Sequence, residues 1–207
     1  MIRASHHPFF VWFFRHYSRL MIHHHFRKIS IEGDIQAPEK SLLVVSNHFS
    51  WWDGFFINYL NHRLWQKKFH AMMLEDQLES RKFLSRAGCF SIRRERSATR
   101  ESFQYAQNLL QKPENLLLMY PQGELCSQHE RPLHFEPGAL HLFNTTGASM
   151  KMVVVLTDYF SFRKPSVAFY IKDYNREDKD QKSLEKAFND FLDACIDSQN
   201  KKAGQNI

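Results

Sequence analysis

SLLVVSNHFSWWDGFF, residues 41–56, passes from an unbroken apolar run through a polar turn into an aromatic block. A continuous apolar run as short as 42–46 (LLVVS) suits a strand buried on both faces of a sheet. Similar runs lie outward from it, at 69–74 (FHAMML), 115–120 (NLLLMY), 152–157 (MVVVLT) and 166–171 (SVAFYI). Between them, 55–65 and 75–86 read as helices, and 99–111 carries Phe103, Ala106, Leu109 and Leu110 at near-helical spacing. Leu184, Phe188, Leu192 and Cys195 belong to the apolar stripe of a final helix. Strands alternating with helices predict an α/β fold. The expectation is a single domain over residues 35–199, with a central mixed, mostly parallel sheet flanked by helices. An aromatic, membrane-associating helical arm (1–34) precedes it and a flexible polar tail (200–207) follows.

Bulk composition bounds the function. With 43% apolar and 24% charged residues, the chain has enough apolar surface to bury a core and is not disordered. The net charge of +6 favours an anionic partner, either nucleic acid or an acidic lipid surface. Nucleic acid is the weaker reading, because the aromatics bunch into Phe9, Phe10, Trp12, Phe13 and Phe14 and do not interleave with Lys and Arg as stacking platforms. Cys89, Cys126 and Cys195 are scattered, which argues for a reducing compartment. No run reaches the ~18 apolar residues of a spanning helix. The expected location is the cytoplasmic face of a membrane, held peripherally or monotopically. Trp12 and Tyr17 suit the headgroup level, and Arg15 and Arg19 suit anionic lipid.

The turn after the first run is Asn47-His48-Phe49-Ser50-Trp51-Trp52-Asp53, at a strand's carboxyl end, where ligand sites of α/β sheets collect. A neutral imidazole accepts a proton near neutral pH, and a carboxylate on its other nitrogen sets the tautomer and stabilises the cation. The spacing from His48 to Asp53 lets the carboxylate fold back onto the ring. Taken alone, the segment fits a loop histidine and a helix-capping aspartate equally well.

The residues that follow add to it. Gly88-Cys89-Phe90-Ser91-Ile92-Arg93-Arg94 joins a Gly, an apolar stretch and a terminal Arg; Tyr120-Pro121-Gln122-Gly123-Glu124 and Phe135-Glu136-Pro137-Gly138-Ala139 come next in order. Together with Asn47-His48-x4-Asp53 they resemble the glycerolipid acyltransferase family that includes 1-acylglycerol-3-phosphate acyltransferases, over about residues 40–160. The resemblance implies direct O-acyl transfer from an acyl thioester to a lyso-lipid hydroxyl. It makes His48 the general base and Asp53 its orienting partner. Asn47, Arg94, Gln122, Gly123 and Glu124 become substrate-binding residues, with Arg94 on acceptor phosphate. The implied co-substrate is acyl-CoA or an acyl carrier protein thioester, with no other cofactor and no metal. Three departures stand out: Gln122 replaces the usual Glu, Leu125 stands where an Arg often follows, and 152–156 lacks the usual Pro. They leave a lyso-aminolipid or another hydroxylated lipid competing with lysophosphatidic acid as acceptor.

Two further features of the sequence have more than one reading. Residues 81–100 hold seven basic side chains against Glu95 alone, which fits a solvated face or an anionic-headgroup contact. His23-His24-His25 do not converge on one ion, because neighbours on a helix point about 100° apart. Two rival functions remain at this level: an acyl-thioester hydrolase using the same base on water, and a non-catalytic membrane-surface binding protein.

Overall fold

A computed structural model describes residues 1–93, 96–175 and 181–203. Helix α1 (Pro8–His25) opens on a proline at its first turn, where a missing N–H costs nothing, with the His7 side chain accepting from the Phe9 N–H. Strands β1 (Lys28–Gly33) and β2 (Leu42–Ser46) follow, then α2 (Asp53–Leu60), continued by a π-helical turn over Asn61–Trp65. Next come β3 (Lys68–Leu74), α3 (Glu75–Glu79), a 3-10 turn (Lys82–Ala87) and β4 (Cys89–Ile92). Helix α4 (Arg96–Leu110), β5 (Asn115–Met119), α5 (Gly138–Thr146), β6 (Ser149–Asp158), β7 (Ser166–Tyr174) and α6 (Gln181–Ala203) complete the chain.

The strands form one seven-stranded sheet in the order β1-β7-β6-β2-β5-β3-β4. Every pairing is parallel except β6 with β7. Alternation along the central strands then sorts the core into two layers. Leu43, Val45, Leu117 and Met119 face α4, α5 and α6, meeting Ala106, Phe143 and Phe188. Leu42, Val44, Leu116 and Leu118 face the other way, where α1 and α2 supply Ile22, Phe56, Ile57 and Leu60. Each such fully buried side chain contributes about 1.5–3 kcal/mol of transfer free energy. Covering both faces is what a sheet without polar alternation requires.

The expected α/β architecture is therefore present, with differences at its margins. Residues 1–34 do not stand apart from the sheet. β1 lies at the end of that stretch and pairs with β7, Ile22 and Phe26 are core residues, and Ile2 exchanges main-chain and side-chain bonds with Ser91. KISIEG escaped a sequence reading because none of its residues is fully buried, so its apolar signal is weak. The stretch 75–86 breaks in two where the Ser80 hydroxyl bonds back to the Gln77 carbonyl (2.9 Å), a local alternative to propagating the helix. Helix α6 runs on through residues 200–203, part of the expected tail. Arg94 lies outside the described residues.

Candidate functional site

The site forms where β2 stops short of its neighbour. The ladder between β2 and β6 ends at Ser46 opposite Val153, while β6 continues. The Asn47 side-chain amide takes over the next rung. Its Nδ2 donates to the Val155 carbonyl and its Oδ1 accepts the Val155 N–H, both at 2.9 Å. Asn47, expected to bind substrate, is buried, and its amide holds the turn on the sheet in place of a peptide group.

Asp53 begins α2 with its side chain only 2% exposed. Its Oδ2 accepts from the Phe49 N–H (2.7 Å), the Ser50 N–H (2.9 Å) and His48 Nδ1 (2.7 Å), and its Oδ1 accepts from the Ser50 hydroxyl (3.0 Å). The Ser50 hydroxyl in turn accepts the Trp52 N–H (2.9 Å), so Ser50 and Asp53 tie together the turn that feeds the helix. The carboxylate is the histidine's partner and holds the turn before the helix; the N-cap of α2 is Trp52, with no side-chain cap bond. With Nδ1 as the donor to Asp53, the tautomer leaves Nε2 as the acceptor on the far side of the ring.

The loop after β5 fixes the histidine from the other flank. Gln122 Oε1 accepts the His48 N–H at 2.7 Å, and the Cys126 N–H donates to the His48 carbonyl at 3.0 Å. The Tyr120 ring stacks on the imidazole at 4.2 Å between centroids, with 14° between the planes. Its hydroxyl is buried with no hydrogen-bond partner among the described residues, and burial, then the Asp53 charge, pushes its pKa well above the usual phenol range. Gly123 turns at φ +73° and its N–H closes onto the Tyr120 carbonyl (3.1 Å), so that donor serves the turn. Glu124 is exposed at the rim.

His48, 27% exposed, opens onto a cavity of about 1920 Å³. Phe14, Phe55, Met72, Phe83 and Leu118 contribute apolar wall, and Arg81, Arg93 and Arg100 contribute cations. Gln122, Gly123 and Glu124 line it as well. Gly138 sits where a Cβ would come within 2.5 Å of the Phe103 ring, so a side chain there would displace part of the wall.

A second polar group was missed from sequence. Glu75, directly after β3 and at the same edge of the sheet, accepts from the Ser91 hydroxyl (2.6 Å) and from Arg93 Nε (2.7 Å). The Arg93 guanidinium and the Ser91 hydroxyl hold the buried carboxyl down at about 2. Its place after a strand's carboxyl end was the available signal. Among the described residues no group of three or more His, Cys, Asp or Glu side chains is arranged to hold a metal ion.

Comparison with known proteins bears on the fold and the family. A search of curated proteins gives no match. The fold is similar to that of the 1-acyl-sn-glycerophosphate (LPA) acyltransferase PlsC from Thermotoga maritima, with a TM-score of 0.65. The two are 14% identical, and the likeness covers 91% of this chain and 79% of that one. A model of the Acyltransferase family matches residues 28–156, beginning at β1 and ending within β6. That span exceeds half of the sequence, and this chain belongs to the Acyltransferase family.

Proposed function

We infer that the protein transfers a fatty acyl group from an acyl thioester to the hydroxyl of a lyso-lipid, with His48 as general base and Asp53 as its orienting partner. The observation that carries this is the 2.7 Å bond from His48 Nδ1 to a buried carboxylate, on a ring that opens into a largely apolar cavity. In the proposed step Nε2 takes the acceptor's hydroxyl proton as the oxygen attacks the thioester carbonyl. The tetrahedral intermediate then breaks its C–S bond. The thiolate leaves and takes the proton back from Nε2, so His48 returns neutral. Asp53 stabilises the imidazolium between these two events.

Arg81, Arg93 and Arg100 on the cavity wall favour an anionic headgroup, such as lysophosphatidic acid, the acceptor class named for the Thermotoga protein. Glu124 and Glu136 line the same cavity, which keeps a lyso-aminolipid among the acceptors to be compared. The donor is acyl-CoA or an acyl carrier protein thioester. The substrate's home is reached through α1, whose exposed Phe9, Trp12, Phe13 and Leu20 suit a bilayer surface on its cytoplasmic side. No described helix is long and apolar enough to cross a membrane.

The deciding assay follows thiol release and lipid product together. Purified protein is given acyl-CoA or acyl carrier protein with lysophosphatidic acid, with a lyso-aminolipid, or with no acceptor. Release that requires an acceptor and yields acylated lipid is expected. Equal release with no acceptor would mean hydrolysis, and no release under any pairing would end the proposal.

A further inference from the structure

The exposed large apolar residues are not confined to α1. Trp51 (62%), Leu125 (58%) and Tyr159 (61%) are among the most exposed, and they sit on three different loops. Those loops follow β2, β5 and β6, which are adjacent, mutually parallel strands. All three therefore emerge at the edge of the sheet that carries His48. The loops are also tied together: the Cys126 N–H bonds to the His48 carbonyl, and the Thr157 hydroxyl bonds to Gln128 Oε1 at 3.1 Å. A single exposed hydrophobic residue needs no explanation, but three at one edge of the sheet do, two of them, Trp51 and Leu125, on the cavity wall.

The connection between β6 and β7 is the most informative of the three. It reads Tyr159-Phe160-Ser161-Phe162-Arg163-Lys164-Pro165 and holds Phe160 at φ +48°, a conformation that a bulky side chain adopts only when its surroundings impose it. The Phe162 N–H closes a turn around it on the Tyr159 carbonyl (2.9 Å), and the far end of α1 braces the residues that follow. The Arg27 guanidinium lies 3.4 Å over the Phe162 ring, Lys164 Nζ donates to the His24 carbonyl (2.8 Å), and the Arg27 N–H donates to the Pro165 carbonyl (2.8 Å). The tip is thus braced against the C-terminal end of the aromatic helix, with Tyr159 left outward and Arg163 and Lys164 exposed beside it.

We propose that the tip of the β6–β7 hairpin is a second membrane-contacting element, inserting Tyr159 at the headgroup level of an anionic bilayer while Arg163 and Lys164 meet its phosphates. It rests on the reading that the site acts on a bilayer lipid, and it adds a function: two contacts, α1 and the tip, fix the angle at which the cavity meets the membrane. One amphipathic helix leaves the protein free to roll about the helix axis. A second, rigidly linked contact removes that freedom and holds the edge bearing Trp51, Leu125 and His48 against the source of acceptor. Charge and chemistry both favour lipid as occupant, since an aromatic with a hydroxyl beside two cations suits the interface between headgroups and acyl chains.

The test is co-sedimentation of the full chain with phosphatidylglycerol–phosphatidylcholine vesicles and with phosphatidylcholine alone, for wild type, Tyr159→Ser, Arg163→Ser and Trp12→Ser. Circular dichroism checks that each variant is folded, and acyl transfer in detergent micelles checks the site separately. Tyr159→Ser is expected to weaken binding to anionic vesicles on the order of tenfold, the effect of withdrawing one aromatic ring from the interface. Arg163→Ser is expected to weaken it about fivefold, and only where phosphatidylglycerol is present. Micellar activity stays at the wild-type level in both. Unchanged vesicle binding by Tyr159→Ser, with Trp12→Ser released, would overturn the hairpin contact and leave α1 standing. A wild type that sediments with neither vesicle would overturn both contacts, while retained micellar activity would leave the acyl-transfer reading intact.

Discussion

His48 and His70 are two imidazoles on neighbouring parts of one sheet, treated in opposite ways. His48 sits in the turn after β2, has its Nδ1 held by Asp53 at 2.7 Å, and keeps a quarter of its side chain exposed to the cavity. His70 lies within β3 at 2% exposure, and among the described residues neither ring nitrogen meets a partner at full hydrogen-bond geometry, the Asn115 side chain beside it making at most a weak contact. Its nearest ring is His6, at 4.6 Å and 73°, and the nearby Asn115 leaves its own Oδ1 unpaired. Burial, then the proximity of His6, pushes the His70 pKa down to about 3. An imidazole becomes a usable base only where a carboxylate answers one nitrogen and substrate reaches the other. Burial without a partner leaves it a neutral core residue with an unmet desolvation cost of about 1–3 kcal/mol.

The largest test of this contrast is His48→Ala, expected to lower kcat on the order of 10²–10⁴-fold while the melting curve is retained. Steady-state kinetics with saturating donor measures it, and a variant retaining more than a tenth of the wild-type kcat would erase the distinction between the two histidines. Asp53→Asn should fall nearly as far. The amide cannot accept from His48, Phe49 and Ser50 on one anionic oxygen, so a drop in thermal stability is expected alongside the lost turnover.

Gln122 sharpens the comparison at the next level down, because it holds the backbone of His48. Gln122→Ala removes a bond worth about 1 kcal/mol and should cost roughly tenfold in kcat/KM. Gln122→Glu keeps an acceptor oxygen at the same reach and should stay within about threefold. The ratio of the two variants separates loop bracing from direct substrate contact.

The smallest effect on turnover belongs to His70→Leu, expected within about twofold of wild type. Its signature is in stability instead, with a gain of about 1 kcal/mol near neutral pH from removing an unpaired polar ring. The sign with pH follows from the lowered pKa. Below about 6.5 the unfolded chain binds a proton that folded His70 refuses until about pH 3, so stability falls as pH drops through that window. Glu75, held at about 2, adds a second loss between its ordinary value of 4.5 and about pH 2. Denaturant melts from pH 7 to pH 3 should show a shallower decline for His70→Leu. An identical slope would mean that His70 is not the group responsible.

Much of the fold was legible because burial leaves a periodic trace in the chain. The five apolar runs at 42–46, 69–74, 115–120, 152–157 and 166–171 all correspond to strands, and the stripe from Leu184 to Ile196 lies on α6. β1 was not legible, since an edge strand buries little and KISIEG carries no strong pattern. At the site, the pairing of His48 with Asp53 was local enough to anticipate, because the partners are five residues apart in a turn that feeds a helix.

The sequence by itself determined an α/β alternation, a histidine and a carboxylate within reach of each other, and an aromatic, basic surface. Tertiary structure alone decided that Asn47 belongs to Val155, that Tyr120 lies on the His48 ring, that Glu75 answers Ser91 and Arg93, and that the β6–β7 tip leans on α1. The physical reason is the order of the sheet. Hydrophobic periodicity reports how each segment is buried, but β6-β2-β5-β3 brings together chain segments about 47 to 107 residues apart, and no local pattern encodes which strand becomes whose neighbour.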